Sequence, residues 1–327
     1  STLRRSTGYA LGFLSIMRSE TAASGVIGPS TLCPYILANV LRLSLPSEGK
    51  LDSFLAKLKF DDTIVGAAEK IPLFMFRSPS SSRRMKEGSI TFIQDENYEI
   101  RSRAHALNIL RLIILDAPLA EEIGPFLGDA IISAIVGYND ENWTIRNSST
   151  MVFAAVMLRK IDADKNASNI DTTSSDAITV TELFRCYPSL SHFLLCTMKA
   201  GIDDVLETYG GLSAPSPIFP ILVLLSRVQP IVNSGAEAAH VTLHFIPMVL
   251  ESLKHCHYGI RAAAARTLAN LCTLSSAESM FYTCYDILID AVKLLSMHHQ
   301  ADNKGKPNFA NAKGFCWNTV HGSLLGI

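Results

Sequence analysis

A block near the middle of the chain, Asp140-Glu141-Asn142-Trp143-Thr144-Ile145-Arg146-Asn147-Ser148-Ser149-Thr150, recurs in the same order of residue types at two other places. Asp95-Glu96-Asn97-Tyr98-Glu99-Ile100-Arg101-Ser102-Arg103-Ala104 precedes it, and His257-Tyr258-Gly259-Ile260-Arg261-Ala262-Ala263-Ala264-Ala265 follows it. Each block holds an aromatic residue, an Ile-Arg pair and a run of small residues, and each opens an apolar helical stretch. The first two Ile-Arg pairs are 145 − 100 = 45 residues apart, within the period of about 40 to 47 residues of HEAT and armadillo units. The second interval, 260 − 145 = 115 residues, holds two or three units and an insertion. No stretch shows the sustained period-two alternation of a sheet. The chain is therefore expected to be all-α, a HEAT/armadillo-like α-solenoid in which each unit buries its apolar face against the next.

The block has a simple physical reading. Small residues after the arginine let neighbouring helices approach closely, while Leu107, Leu110, Leu268 and Leu271, at helical spacing, fill the space between them. The arginine has two readings. Its planar fork suits donation to helix-end carbonyls or to an acidic residue in the neighbouring turn. Alternatively, a row of arginines faces a phosphate-bearing partner. Trp143 is expected to anchor the turn against its helix rather than to offer a platform for a base.

Apolar residues make up 48% of the 327, against 18% charged, enough to bury long faces. The chain starts at Ser1-Thr2-Leu3 and stops in the apolar run Leu324-Leu325-Gly326-Ile327, whereas terminal repeats normally carry a polar outer face. A fragment of a longer repeat array is expected. The tract Asp162 to Thr179 has almost no apolar periodicity and reads as a flexible polar insertion. It separates repeats over residues 1–161 from further repeats over 180–327. The densest apolar segment, Ile218 to Leu225, is short and flanked by prolines, so no membrane insertion is expected. Seven scattered cysteines read as reduced thiols, mostly in helical cores, of a cytosolic or nuclear protein. A net charge of −1 leaves any nucleic-acid binding to local patches.

Helices are expected over Leu3–Arg18, broken by Gly25, then Leu32–Leu43 with Ser30 or Thr31 as its cap, and Leu51–Phe60. Ser44–Gly49 and the basic stretch Arg77–Gly88 read as loops, the latter a solvated linker or a phosphate-contacting one. Further helices are expected over Tyr98–Leu115, Ala120–Tyr138 with a break near Gly124-Pro125, and Trp143 to about Lys160. Val180–Arg185, Ser189–Ala200, Ile218–Val228, His240–Lys254, Ile260–Leu274 and Ser276–Met297 follow. Asn303–Lys313 reads as a loop before a last helix from about Phe315.

Signatures of catalysis are missing: no phosphate-cradling glycine loop, no H-E-x-x-H and no G-x-S-x-G. His255-Cys256-His257, with His298-His299 downstream, is the cluster nearest to a metal site, but adjacent ligands at one helix end splay apart. Surface histidines at a helix C-terminus account for it. The pairs Asp61-Asp62, Glu121-Glu122 and Asp203-Asp204 sit at helix starts or turns without partners for acid–base work. The chain is not expected to be an enzyme.

Four blocks occur in one order: Arg4-Arg5-Ser6-x-Gly8, His105-Ala106-Leu107-Asn108-Ile109-Leu110-Arg111, Trp143-x-Ile145-Arg146-Asn147-Ser148-Ser149-Thr150 and His321-Gly322-x-Leu324-Leu325. Together they span nearly the whole chain. In this the sequence resembles the central region of the thyroid adenoma-associated protein family, which includes the fungal auxiliary subunit of the tRNA anticodon-loop ribose 2′-O-methyltransferase. The family's usual first block is Arg-Arg-Ser-Ala-Gly followed by an aliphatic residue and proline. Here Thr7, Tyr9 and Ala10 stand in its variable places.

The resemblance implies a large, non-catalytic HEAT-repeat protein. Such a protein binds an FtsJ-like tRNA methyltransferase, which alone supplies the S-adenosylmethionine site, and helps it methylate the ribose of nucleotide 32 in tRNA. This chain is then expected to need no cofactor of its own and to be cytoplasmic. A solenoid surface suits a folded RNA and an enzyme together, and arginines are the expected phosphate contacts. Arg4 and Arg5, with Ser6 and Gly8, are the leading candidates for tRNA or partner contact, and Arg101, Arg103, Arg111 and Arg146 stand behind them. Arg4-Arg5 also reads as an exposed or helix-capping pair. The competing class is a protein-only scaffold, since the family has animal members associated with calcium-pump regulation.

Overall fold

The computed structural model describes residues 7–27, 32–58, 96–161, 178–207, 216–229, 243–272, 274–302 and 310–326. These are helical apart from short turns, and among them β pairing is confined to a bridge between Thr179 and Gln229, whose N–H donates to the Ile178 carbonyl at 3.0 Å. The chain divides into two compact units, Ser1–Ala163 with Tyr187–Phe193, and Asp164–Cys186 with Leu194–Ile327. Most of the polar tract, and the basic loop Arg77–Gly88, lie outside the described residues. Ile178 and Thr179, read as the end of that tract, are instead structured, with Ile178 buried.

The first unit holds α1 (Thr7–Ile27), α2 (Leu32–Ser44), α3 (Glu48–Lys57), α4 (Glu96–Leu115), α5 (Leu127–Tyr138) and α6 (Trp143–Val156). A π-helical turn, Met157–Ile161, extends α6. Helix α1 runs through Gly25 rather than breaking there, because one glycine after Ala22-Ala23 costs only about 1 kcal/mol. The carboxylate of Glu20, one turn earlier, then accepts from the free N–H groups of Leu32 and Cys33 at 2.6 and 2.7 Å. That external cap explains why α2 starts at Leu32. The expected loop Ser44–Gly49 is shorter, since α3 begins at Glu48. Asp116, Pro118, Gly124 and Pro125 break the next stretch into the short turns Ala117–Leu119, Ala120–Ile123 and Gly124–Phe126, the interruption expected there.

Helix α4 is the spine of this unit and packs on α1, α2 and α6. Its Leu107, Leu110, Ile113 and Ile114 are sealed from water, each stabilising by about 1.5–3 kcal/mol. The last carbonyls of α4 and its following turn are satisfied from the neighbouring repeat. Arg159 Nη1 donates to Ile114 O at 2.6 Å and Asp116 O at 2.7 Å, while the Asp116 carboxylate takes the guanidinium of Arg18. Where α5 meets α6, Gly137 faces buried Ser149: a Cβ at 137 would lie 2.0 Å from Ser149 Oγ.

The second unit holds α7 (Val180–Cys186), most of α8 (Pro188–Glu207), α9 (Ile218–Leu225), α10 (Ile246–Ser252), α11 (Tyr258–Leu271), α12 (Leu274–Asp302) and α13 (Ala310–Gly326). Helix α11 is its spine, packed on α9, α10 and α13. Thr267 Oγ1 donates to Leu222 O at 2.9 Å and Asn270 Nδ2 to Val228 O at 3.0 Å, so α11 closes the C-terminal end of α9 as Arg159 closes that of α4. Helix α13 begins at Ala310, so Ala310–Lys313, read as loop, is helical, and it lies so close to α10 that a Cβ on Gly322 would meet Leu253 O at 1.7 Å. Each unit thus has the stacked helix-pair packing of an α-solenoid. Among the described cysteines, Cys33, Cys196 and Cys284 are buried thiols, whereas Cys186 and Cys256 are exposed rather than in cores.

Candidate partner-binding surface

The Ile-Arg blocks are the same structure built twice. In the first unit Asp140 Oδ1 accepts from Asn142 N–H at 2.8 Å, Asn142 O accepts from Arg146 N–H at 3.1 Å, and Arg146 Nη1 donates to Asp140 O and Glu141 O at 2.8 and 2.7 Å. In the second, His255 Nδ1 accepts from His257 N–H at 3.0 Å, His257 O accepts from Arg261 N–H at 3.3 Å, and Arg261 Nη1 donates to His255 O and Cys256 O, both at 2.7 Å. Every partner is displaced by 261 − 146 = 115 residues. Helix-end carbonyls have no intrahelical donor, so the arginine two turns of chain later supplies one. Ile145 and Ile260 are buried beside it, and so are the small residues Ser148, Ser149, Ala263 and Ala264.

That geometry fixes what the expected contact residues do. The turn arginine donates to carbonyls at positions 146 and 261, the structural reading. Arg103 is 4% exposed, its Nη1 paired with Asp140 Oδ2 at 2.5 Å and its Nε directed at Ser44 O at 3.4 Å. A guanidinium sealed this way presents nothing to a partner. Arg146 is half-buried on its two carbonyls. Arg101 is exposed and Arg111 half-buried on α4. Arg4, Arg5 and Ser6 lie outside the described residues, and Gly8 is exposed with open space where a Cβ would stand.

Helix packing brings two of the sequence blocks together. Tyr9, in the first turn of α1, meets His105 of α4 edge-on with ring centroids 6.4 Å apart. Arg101 lies one turn before His105 and so shares its face. Of the expected contact residues described in this unit, Gly8 and Arg101 are exposed and Arg111 is half-buried, with exposed Tyr9 next to Gly8. Trp143 corrects an expectation: it is 66% exposed rather than packed between turn and helix. At 100° per residue it stands about 200° around the helix from buried Ile145. Tyr98 and Tyr258, its counterparts, are exposed as well.

His255 corrects another. It is buried, not a surface residue, and its Nδ1 is engaged by the His257 N–H. Burial, with the nearby charges of His257 and Arg261, pushes it down to about 4, so it stays neutral at physiological pH. Asp129 of α5 shows the converse, burial pushing its carboxyl up to about 6. Sequence reasoning missed Asn318, which with His321 closes over Arg261 from α13. Arg261 Nε donates to His321 Nδ1 at 3.1 Å and Nη1 to Asn318 Oδ1 at 3.0 Å. The His321 block carried a signal, but nothing local to Arg261 shows that a helix some 60 residues later covers it.

The packing defines the class, an all-α helical-repeat protein whose inter-helix turns are closed by arginine. Residues 1–144 match the family described as THADA/TRM732, DUF2428, and residues 146–327 match Trm732, C-terminal TPR repeats. The chain belongs to the THADA/TRM732 family, the one the residue blocks resemble. It is 30% identical over 233 residues to the tRNA (32-2'-O)-methyltransferase regulator THADA of Canis lupus familiaris, covering 71% of this chain and 11% of that protein. The regulator trm732 of Schizosaccharomyces pombe is 25% identical over 227 residues, 69% of this chain and 13% of that protein. Its counterpart in Drosophila melanogaster is 26% identical over 237 residues. The chain spans about a tenth of the length of the curated relatives it matches. No solved structure matches. No helix among the described residues is long and apolar enough to cross a membrane.

Proposed function

We propose that the chain is part of a non-catalytic helical-repeat subunit that binds an FtsJ-like methyltransferase and tRNA, enabling 2′-O-ribose methylation of nucleotide 32 in the anticodon loop. The observation that carries this reading is the match, over about 70% of the chain, to relatives from dog to fission yeast that are named regulators of that methylation. S-adenosylmethionine belongs to the partner enzyme, and the assembly acts in the cytoplasm. Exposed Arg101, one turn from the His105 that meets Tyr9, is the described cation best placed to meet a phosphate.

A protein-only scaffold is the second reading. It is favoured by Arg103 and Arg146, two of the expected RNA contacts, whose guanidinium groups are engaged inside their own unit. The test measures ribose methylation at tRNA position 32 in cells lacking the gene, complemented with full-length wild-type protein, Arg4→Ala/Arg5→Ala or Arg101→Glu at matched protein levels. Restoration by wild type and loss in the charge variants supports a tRNA-modifying interface. Methylation that never depends on the protein leaves the scaffold reading.

A further inference from the structure

The two turn arginines do the same structural task, so whatever Arg261 has beyond Arg146 calls for a separate explanation. Arg146 closes its turn with Nη1 alone and stays half-buried. Arg261 is only 8% exposed, and α13 adds Asn318 and His321 to its acceptors. All of those acceptors are neutral. Among the described residues no carboxylate pairs with it, and burial works against its charge. Arg103, the other buried arginine, has Asp140. A buried cation is normally paired, because removing it from water is costly.

Among the described residues one nitrogen of this guanidinium has no partner: Arg261 Nη2 makes no hydrogen bond to them, and unlike Arg103 Nη2 it is not a sealed orphan. The bonds of Nη1 and Nε hold its N–H groups in place. Two exposed rings neighbour this arginine, Tyr258 one turn earlier on α11 and His321, the acceptor of its Nε. Tyr258 is 61% exposed and its ring lies 5.6 Å from that of His321, tilted by 59°, so the two form a notch rather than a closed stack. Because Arg261 Nε–H donates to His321 Nδ1, the imidazole carries its proton on Nε2 and offers that N–H outward.

We propose that Arg261, Tyr258 and His321 form a binding site for one nucleotide of single-stranded RNA. This rests on the RNA reading above and adds a position to it. The phosphodiester supplies the missing anion to Arg261 Nη2, through charge-assisted hydrogen bonds made by a group already fixed in place. The base stacks against Tyr258 in the notch, and His321 Nε2–H donates to a base or ribose oxygen. A stacking ring beside a guanidinium is how unpaired bases are held without a duplex.

The experiment measures binding of a fluorescein-labelled anticodon stem-loop RNA to the full-length protein with its methyltransferase, by anisotropy, for wild type, Tyr258→Ala, Tyr258→Phe and His321→Ala. Tyr258 is exposed, so its substitutions spare the core, whereas His321→Ala also removes the acceptor of buried Arg261 Nε; an unchanged thermal midpoint is therefore required of each variant. Tyr258→Ala is expected to weaken binding about five- to a hundredfold, the worth of one base stack, while Tyr258→Phe retains it. If Tyr258→Ala and His321→Ala bind as wild type does, the site is refuted while the RNA reading stands. Wild-type protein that binds no RNA refutes both. Unchanged RNA affinity with loss of the methyltransferase on purification gives the notch to a protein partner instead.

Discussion

The turn at residues 140–146 and the turn at 255–261 share their hydrogen bonds and differ in the side chain that accepts at the first position. Asp140 brings a full negative charge, which holds Arg103 as well as the turn. His255 brings a neutral ring nitrogen that does the same backbone work and offsets no cation. The geometry demands an acceptor, an Ile-Arg pair and small residues. Which acceptor it is decides whether the arginine beside it sits in a neutralised interior or retains a field. On the proposal above, one repeat is purely architectural while another, on the same backbone, presents chemistry.

The largest effect is expected where helices approach most closely. Gly322→Ala places a methyl group 1.7 Å from a backbone carbonyl, Leu253 O, and the backbone must move. Overpacking of this kind is expected to destabilise the second unit by about 3 kcal/mol or more. At Gly137 the obstacle is the Ser149 hydroxyl, a side chain that can rotate, so Gly137→Ala should lower the first unit's stability by about 1–2 kcal/mol. Denaturant unfolding followed by hydrogen exchange resolved by helix separates the two. A larger loss at Gly137 would reverse the order of tightness between α10–α13 and α5–α6.

Next come the arginines. Arg261→Met strands two carbonyls, Asn318 and His321, and should cost about 2–4 kcal/mol; Arg146→Met strands two carbonyls near solvent and should cost about 1 kcal/mol. Equal losses would mean that the contacts from α13 contribute nothing.

Acid then distinguishes the units by sign. His255 is held at about 4 in the folded chain, below the unfolded value of about 6.5. Between those values the unfolded chain binds the extra proton, so the second unit loses stability as pH falls through that window, by up to about 3 kcal/mol. Asp129 is held at about 6 in the folded chain, above its ordinary 3.8. There the folded state binds the extra proton, so this group's contribution to the first unit improves as pH falls from about 6 to about 4. Unfolding midpoints against pH should show the opposed slopes. His255→Asn, which keeps an acceptor, should flatten the second unit's slope, and Asp129→Asn the first unit's.

How much of this could be read beforehand follows from the range of the interactions. The leucines of α4 and α11 and the break at Gly124-Pro125 are local patterns that appear where the sequence puts them, and the turn repeat appears at two of its three places, since Arg101 of the first block is exposed on α4 and Asp95 lies outside the described residues. Helix ends were less legible: α1 passes Gly25 because a single glycine is a weak breaker, the cap on Leu32 comes from a carboxylate twelve residues earlier, and α13 starts at Ala310 rather than near Phe315. Long-range roles were hidden. Nothing near Arg103 announces Asp140, and nothing near His255 shows that a ring in a His-Cys-His run is buried and used as a turn acceptor. Trp143 misled because a large aromatic ring usually packs, yet its place on the helix points it away from Ile145.

The smallest expected effect tests whether the two turns are equivalent down to their caps. Asn142 Oδ1 accepts from Thr144 N–H at 2.9 Å, whereas His257, at the matching position, makes no side-chain cap bond. Asn142→Ala should therefore cost the first unit about 1 kcal/mol, the usual worth of an N-cap. His257→Ala should change the second by only a few tenths of a kcal/mol, since its backbone N–H still donates to His255 Nδ1. A comparable loss at both sites would show that His257 supports the turn in some other way, through its ring contact with His255 at 5.4 Å. The second turn would then depend on a pair of imidazoles where the first depends on one amide.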